Sequence, residues 1–210
     1  MPVLTYPTSA IVGATDLGKT VAFFSTIGMQ ATRTINLPAE AASALYGLDG
    51  PTRQVEMTTP GSNRTVRVVE TPHEAEPFAP LRGGPYALDF FSSDVELTMA
   101  SVIAAGAHNV SGFVACGLEP SRHVDAANWG KRYECLFQGP DELTLYITDI
   151  ERSPNRYHSV LDDDPDRVHS ELIEICWVVD DLGRERASGP RRWAWRWTST
   201  GTPRTRRWSS

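Results

Sequence analysis

The chain is 210 residues long, 40% hydrophobic, with a formal net charge of -6. That length and apolar content fit one or two globular domains with a real core. No run approaches the ~18 apolar residues of a membrane span. Residues 1–7 lack the basic-then-apolar pattern of a signal peptide. Three cysteines (116, 135, 176) show neither metal nor disulfide spacing. A cytoplasmic protein with buried thiols and no membrane partner is therefore expected.

Residues 10–17 are a short apolar run ending in an acidic cap, Asp16, and Leu17, Val21 and Phe24 then follow at helical spacing up to Gly28. This predicts a strand, then a helix opened by Asp16 and closed by Gly28. A weaker strand is expected over 32–37. Two more are expected over 53–59 and 65–70, around the turn cluster Pro60-Gly61-Ser62-Asn63. The same order returns 78 residues later: Asp16 matches Asp94, Gly28 matches Gly106, Glu56 matches Glu134 and Gly61 matches Gly139. Val95, Met99, Val102 and Ile103 repeat the helix face, and strands are expected over 110–115, 132–137 and 143–148, around Gly139-Pro140-Asp141-Glu142. Counted without a gap, the repeat is a duplicated module rather than a solenoid unit. The fold class expected is α+β. Two paired βαβββ modules, 5–75 and 84–150, make one domain over 5–150, with helices on one face of each sheet. Two copies that pair would share a cleft lined by equivalent positions.

Residues 151–170 read as an acidic linker, with Asp162-Asp163-Asp164-Pro165-Asp166 and two histidines, His158 and His169. Residues 171–182 then repeat the opening strand and cap a third time, ending at Asp181, but the expected helix does not follow. They read as the truncated start of a further domain. An apolar strand without its module must add to a sheet edge, pair with another chain or aggregate. Charge changes abruptly here: residues 1–182 hold 12 basic and 25 acidic groups (12 − 25 = −13), and residues 183–210 hold eight arginines and one glutamate (8 − 1 = +7). Four of the six tryptophans also fall in this tail. It reads as disordered or as out-of-frame translation. The rival is a basic arm that binds nucleic acid or an acidic surface. Nucleic acid is the less expected partner.

The residues carry a family resemblance over about 5–150. Asn128-Trp129-Gly130-Lys131-Arg132, followed by Gly139-Pro140-Asp141-Glu142-Leu143-Thr144-Leu145-Tyr146, resembles the closing hairpin of the vicinal oxygen chelate superfamily, which includes glyoxalases, bleomycin-resistance proteins and extradiol dioxygenases. The resemblance implies metal ligands seven residues before each capping Asp and on the last strand of each module. Those positions hold Ser9, Ala87, Val68 and Tyr146, none of them a usual ligand for a divalent metal. The third copy has Glu174 at the first-strand position. No metal or other cofactor is therefore expected in 1–150. Glu70 reads more simply as an exposed strand end, and Asp89 or the pair Glu56 and Glu134 as partners of Arg53, Arg67 or Arg132, than as an unusual carboxylate site.

A cleft in such a domain would be lined by Glu56, Asp89, Phe91, Trp129, Glu134 and Tyr146, aromatic walls with a few polar groups that suit a flat or amphipathic organic ligand. The same residues also read as packing of a sheet face. Three functions stand open. The first is a small-molecule-binding or structural domain without the usual metal site, with a homodimer allowed. The second is a metal-dependent lyase, isomerase or ring-cleaving dioxygenase whose catalytic domain is incomplete. The third is an interaction protein using the basic tail.

Overall fold

The computed structural model describes residues 8–74, 84–116, 132–150 and 158–178. The first module runs β1 (Ser9–Ala14), α1 (Leu17–Thr26), β2 (Gln30–Leu37), α2 (Ala39–Tyr46), β3 (Thr52–Thr58) and β4 (Thr65–Glu70). Asp16 caps α1 by accepting from the Lys19 amide at 2.9 Å, and Gly28 turns the chain out at φ 80°. Leu17 and Phe24 of the predicted stripe are buried and Val21 partly so, and Thr20 and Phe23 face inward beside them. The sheet order is β1-β4-β3-β2, with β1 parallel to β4. Helix α2 was not expected. Its signals are there, Pro38 before it and Gly47 at φ 69° after it, but its eight residues have little apolar spacing. It covers one end of the sheet face turned away from α1: Ala42 and Leu48 pack on Val69, and the Tyr46 hydroxyl donates to Gln54.

The second module repeats this order: β5 (Gly84–Ser92), α3 (Val95–Ala104), β6 (His108–Cys116), β7 (Arg132–Gln138), a single 3-10 turn (Pro140–Glu142) and β8 (Thr144–Asp149). Asp94 caps α3 through the Leu97 amide at 2.9 Å. The repeat is gapless only through its first strand and helix. Ile11 pairs with Arg67 in the first copy, whereas Asp89 pairs with Tyr146 in the second, so Arg67 and not Val68 is the counterpart of Tyr146. Glu56 pairs with Arg67 and Leu136 with Tyr146, so Glu56 corresponds to Leu136, and Gln54 to Glu134. The cause is a pair of compensating length changes: the segment before the third strand is longer in the second copy, and its hairpin turn is shorter.

One core joins the modules. Phe24, Met57 and Val68 of the first pack with Phe90, Phe137 and Ile147 of the second, and the Phe24 and Phe90 rings lie 6.5 Å apart. The junction is made by the helix-covered faces. A Cβ at Gly139 would meet the Phe23 ring at 2.8 Å, so this close approach requires glycine. Beside it, Asp141 accepts from the Thr15 amide (3.1 Å) and hydroxyl and from the Thr20 hydroxyl (3.4 Å).

The equivalent donors in the second copy, the Ser93 amide and hydroxyl, instead donate to the carbonyls of Val168 and Arg167, both at 2.9 Å. The segment expected to be a linker therefore takes part in the junction. It forms α4 (Val160–Asp163), with a Ser159–Asp162 capping box, and leads into β9 (His169–Val178). Strand β9 pairs antiparallel with β5, giving the second sheet the order β6-β7-β8-β5-β9. The edge expected to receive the orphan strand is therefore that of β5. Leu172 and Ile173 are fully buried, and His169, expected in a polar linker, lies half-buried with Nε2 3.0 Å from the Thr98 hydroxyl. Residues 151–157 and the tail 183–210 lie outside the described residues.

Candidate functional site

The sheet face of the second module turned away from the shared core gathers most of the residues singled out from the sequence. Strand alternation sends Leu88, Phe90, Cys135, Phe137, Leu145 and Ile147 into the core. The intervening residues face the other way. Cross-strand pairing then sets Leu136, Tyr146, Asp89 and Glu174 in one row across β7, β8, β5 and β9. Glu134, Thr148 and Phe91 form the next row, and Ala87 and Cys176 lie on the other side. Where Asp89 pairs with Glu174 but Phe90 with Leu172, β9 has one residue more than β5. That bulge sends Leu172 into the core, sets Ile173 against Phe91 and leaves Glu174 opposite Asp89.

The electrostatics follow from this arrangement. Asp89 is 4% exposed and accepts from the Thr148 hydroxyl at 3.0 Å. The Tyr86 and Tyr146 rings lie 6.3 Å apart at a tilt of 47°. Burial pushes the Tyr146 hydroxyl well above the usual phenol range, with Tyr86, Cys176, Glu134 and Asp89 adding to it. Burial likewise raises the Cys176 thiol, helped by Asp89, Glu174 and Glu134. At neutral pH both groups keep their protons. Cys176 is thus not a thiolate nucleophile and Tyr146 not a base. The face brings together two phenols, Tyr86 and Tyr146, and three carboxylates, Asp89, Glu134 and Glu174. Leu161 of α4 and Ile173 close it at Phe91, which is 2% exposed.

Of the residues singled out from the sequence, Asp89, Glu134 and Tyr146 come together here, and Phe91 lies at the closed end. Glu56 does not share this face. It sits on the first sheet, 3.5 Å from Arg67 and within hydrogen-bond reach of Gln54. Glu70 pairs with Arg53 through two bonds of 2.9 and 3.0 Å, which lower the carboxyl and raise the guanidinium. Trp129 lies outside the described residues. Tyr86 and Cys176 were missed as site residues. Tyr86 had no repeat partner to draw attention to it, and Cys176 read as a plain buried thiol.

In the two modules, the positions where the resemblance implies metal ligands, Ser9, Val68, Ala87 and Tyr146, hold no usual donor. Val68 is buried in the core, and the true counterpart of Tyr146, Arg67, is a cation that would repel a metal. Among the described residues, no three His, Cys, Asp or Glu side chains are grouped to hold a metal ion.

No family model matches the sequence, and no curated protein is significantly similar to it. Solved structures do share its shape. A glyoxalase family protein from Bacillus cereus is 19% identical over 71% of this chain and 95% of its own, with a TM-score of 0.55. A glyoxalase family protein from Enterococcus faecalis is 18% identical over 69% of this chain and 98% of its own, with a TM-score of 0.46. A glyoxalase I mutant from Zea mays is 14% identical over 68% of this chain and 44% of its own, with a TM-score of 0.47. The Bacillus cereus likeness shows the fold alone: this chain has a glyoxalase-like fold of paired βαβββ modules.

Proposed function

We propose that this chain is a small-molecule-binding domain that works without the metal site of its structural class. The ligand lies on the face built by β7, β8, β5 and β9. The observation that carries this reading is the row Tyr146–Asp89–Glu174, with the Tyr86 ring beside it. Tyrosine rings give a flat apolar platform, and carboxylates beside them accept from a donor or cationic group. The arrangement suits a flat or amphipathic organic molecule with an amine or hydroxyl end. Ligand-observed magnetic resonance with a panel of aromatic amines, alcohols and acids tests it. Amines should bind best, and binding should disappear in Tyr146→Ala but persist in Tyr46→Phe, a tyrosine on the other sheet. A panel without binders, or binding indifferent to Tyr146, would refute the reading.

One observation favours the rival, a metal-dependent lyase, isomerase or dioxygenase. Glu174, at the first-strand ligand position of the third copy, stands opposite Asp89. Carboxylate oxygens suit a hard cation, but the described face lacks the imidazole that iron, nickel and zinc sites commonly use. Metal content of the purified protein decides between the two.

A further inference from the structure

Residues 158–168 are lightly held. Their helix, α4, has four residues, too few to be stable alone. It rests on a small set of distant contacts. Leu161 covers Phe91, and the Val160 amide donates to the Glu171 carboxylate at 3.0 Å. The Ser93 amide and hydroxyl donate to the Val168 and Arg167 carbonyls, and Arg167 donates to the Pro60 carbonyl at 2.9 Å. A segment held in this way opens locally at far lower cost than a core strand. Its C-terminal end is set by His169, the first residue of β9, which stands opposite Ser92 of β5. The ring touches both modules. Nε2 lies 3.0 Å from the Thr98 hydroxyl of α3, and a Cβ at Gly28, just past α1, would lie 3.6 Å from Nδ1.

This setting suits a neutral ring. The Thr98 hydroxyl donates to the Asp94 carbonyl at 2.9 Å, so its oxygen accepts from Nε2–H. A second proton would sit at Nδ1, on the side packed against Gly28, where no acceptor among the described residues bonds it. It would also bring positive charge to the first turn of α3, the positive end of that helix. No carboxylate among the described residues lies within ion-pair distance of the ring. On α3, Asp94 caps the helix at the Leu97 amide and Glu96 is exposed. On β8, Asp149 shares the row of Ser92 and His169 but stands two strand spacings away, about 9.5 Å. Arg167 engages Asp164 and the Pro60 carbonyl, and Glu171 sits beside Arg64. The turn after α1 presents Gly28, without charge. Burial accordingly holds the imidazole below its usual range. We propose that residues 158–168 form a strap over the Phe91 end of the ligand face, closed while His169 is neutral and released when it takes a proton. Acid then lifts Leu161 from Phe91 and opens that end of the face.

The ligand face is the one assigned above, but the strap is measured without ligand, so either reading can fail alone. In the open state the histidine titrates near its usual value of about 6.5. The open population therefore gains up to about tenfold for each pH unit below that, until the folded ring is itself protonated. Hydrogen exchange of the full chain, followed by magnetic resonance from about pH 7.5 to 5.5, tests this. Protection is taken relative to the unfolded chain's exchange rate at each pH. At the Val160 and Ser93 amides it should fall toward that slope, while Met57, fully buried in β3, keeps its protection. The His169 ring should titrate below about pH 6.5. In His169→Asn the fall at Val160 and Ser93 should vanish. Constant protection at those amides in the parent would overturn the proposal, as would a ring titrating at or above about pH 6.5. So would an equal fall in His169→Asn, or a fall shared by Met57, which marks opening of the whole domain rather than of the strap.

Discussion

Replacing Leu172 by alanine asks whether residues 158–178 belong to the domain or merely follow it. Leu172 is fully buried in the main core, paired with Phe90 on the neighbouring strand, and its carbonyl accepts from Arg64. Its neighbour Ile173 is equally buried, against Phe91 and Leu161. Removing a buried leucine side chain costs about 2–5 kcal/mol, because transfer energy is lost and the cavity does not fully collapse. Taking about 3 kcal/mol, and a shift of about 2–4 °C per kcal/mol for a domain of this size, the melting midpoint should fall by about 6–12 °C. The control is Ile103→Ala, which trims a side chain 47% exposed and should lower the midpoint by no more than about 2 °C. Differential scanning calorimetry should show one transition for the parent, shifted as a whole in Leu172→Ala. A midpoint within a degree of the parent would mean that β9 is not part of the cooperative unit, and the sequence reading of a separate truncated start would stand. For the same reason, a chain ended near Ser153 should be less soluble than the full chain, since it uncovers Phe90 and Phe91. Composition alone predicts the opposite.

Asp141→Ala removes the acceptor of three donors at the start of α1 and should destabilise by about 1–3 kcal/mol in urea melts, whereas Asn63→Ala, at the equivalent turn, should be near neutral. Burial lowers the pKa of His169, so the folded state binds fewer protons there than the unfolded chain. Its share of stability is full above about pH 6.5 and is lost as pH falls through the folded pKa. Urea midpoints of the parent and His169→Asn should therefore converge on acidification, and a constant gap between pH 7.5 and 5 would contradict the assignment. Elemental analysis after mild purification should find no stoichiometric iron, manganese, nickel or zinc; one tightly held metal per chain, lost in Asp89→Asn with Glu174→Gln, would establish the rival function. Deleting residues 183–210 should leave the midpoint unchanged to within about 2 °C, because eight arginines with almost no aliphatic residues bury too little area to offset ordering.

The module was readable because its signals are local. An acidic cap, a 3.6-residue apolar stripe and a closing glycine each lie within a dozen residues, and they recur in phase at Asp16 and Asp94. What failed was whatever depends on distant contacts. Residues 158–170 are mostly polar, and their only apolar pair, Val160 and Leu161, is too short to show a period. Their order comes from Phe91, Ser93 and Pro60, none of which is near in sequence. The equation of Glu56 with Glu134 failed for a related reason. Matching identities at a fixed spacing hides two compensating length changes, and only cross-strand pairing exposes them.

That shift in register also explains why one module offers a site face and the other does not. In the first copy, the row equivalent to Leu136–Tyr146–Asp89 is Glu56–Arg67–Ile11. Glu56 and Arg67 neutralise one another there, and Ile11 stands where the second copy has a carboxylate. In the second copy, Tyr146 stands in the arginine's place, opposite Asp89, which in turn pairs across the strands with Glu174. The duplicated scaffold is thus the same, but a cross-strand ion pair in one copy has become a phenol beside carboxylates in the other. Exchanging the two chemistries tests this directly. Tyr146→Arg should remove amine binding from the second face while leaving the fold intact, because arginine already occupies the equivalent position in the first sheet. Loss of the fold instead would show that Tyr146 is held there by packing, and that the ligand face is a core surface in disguise.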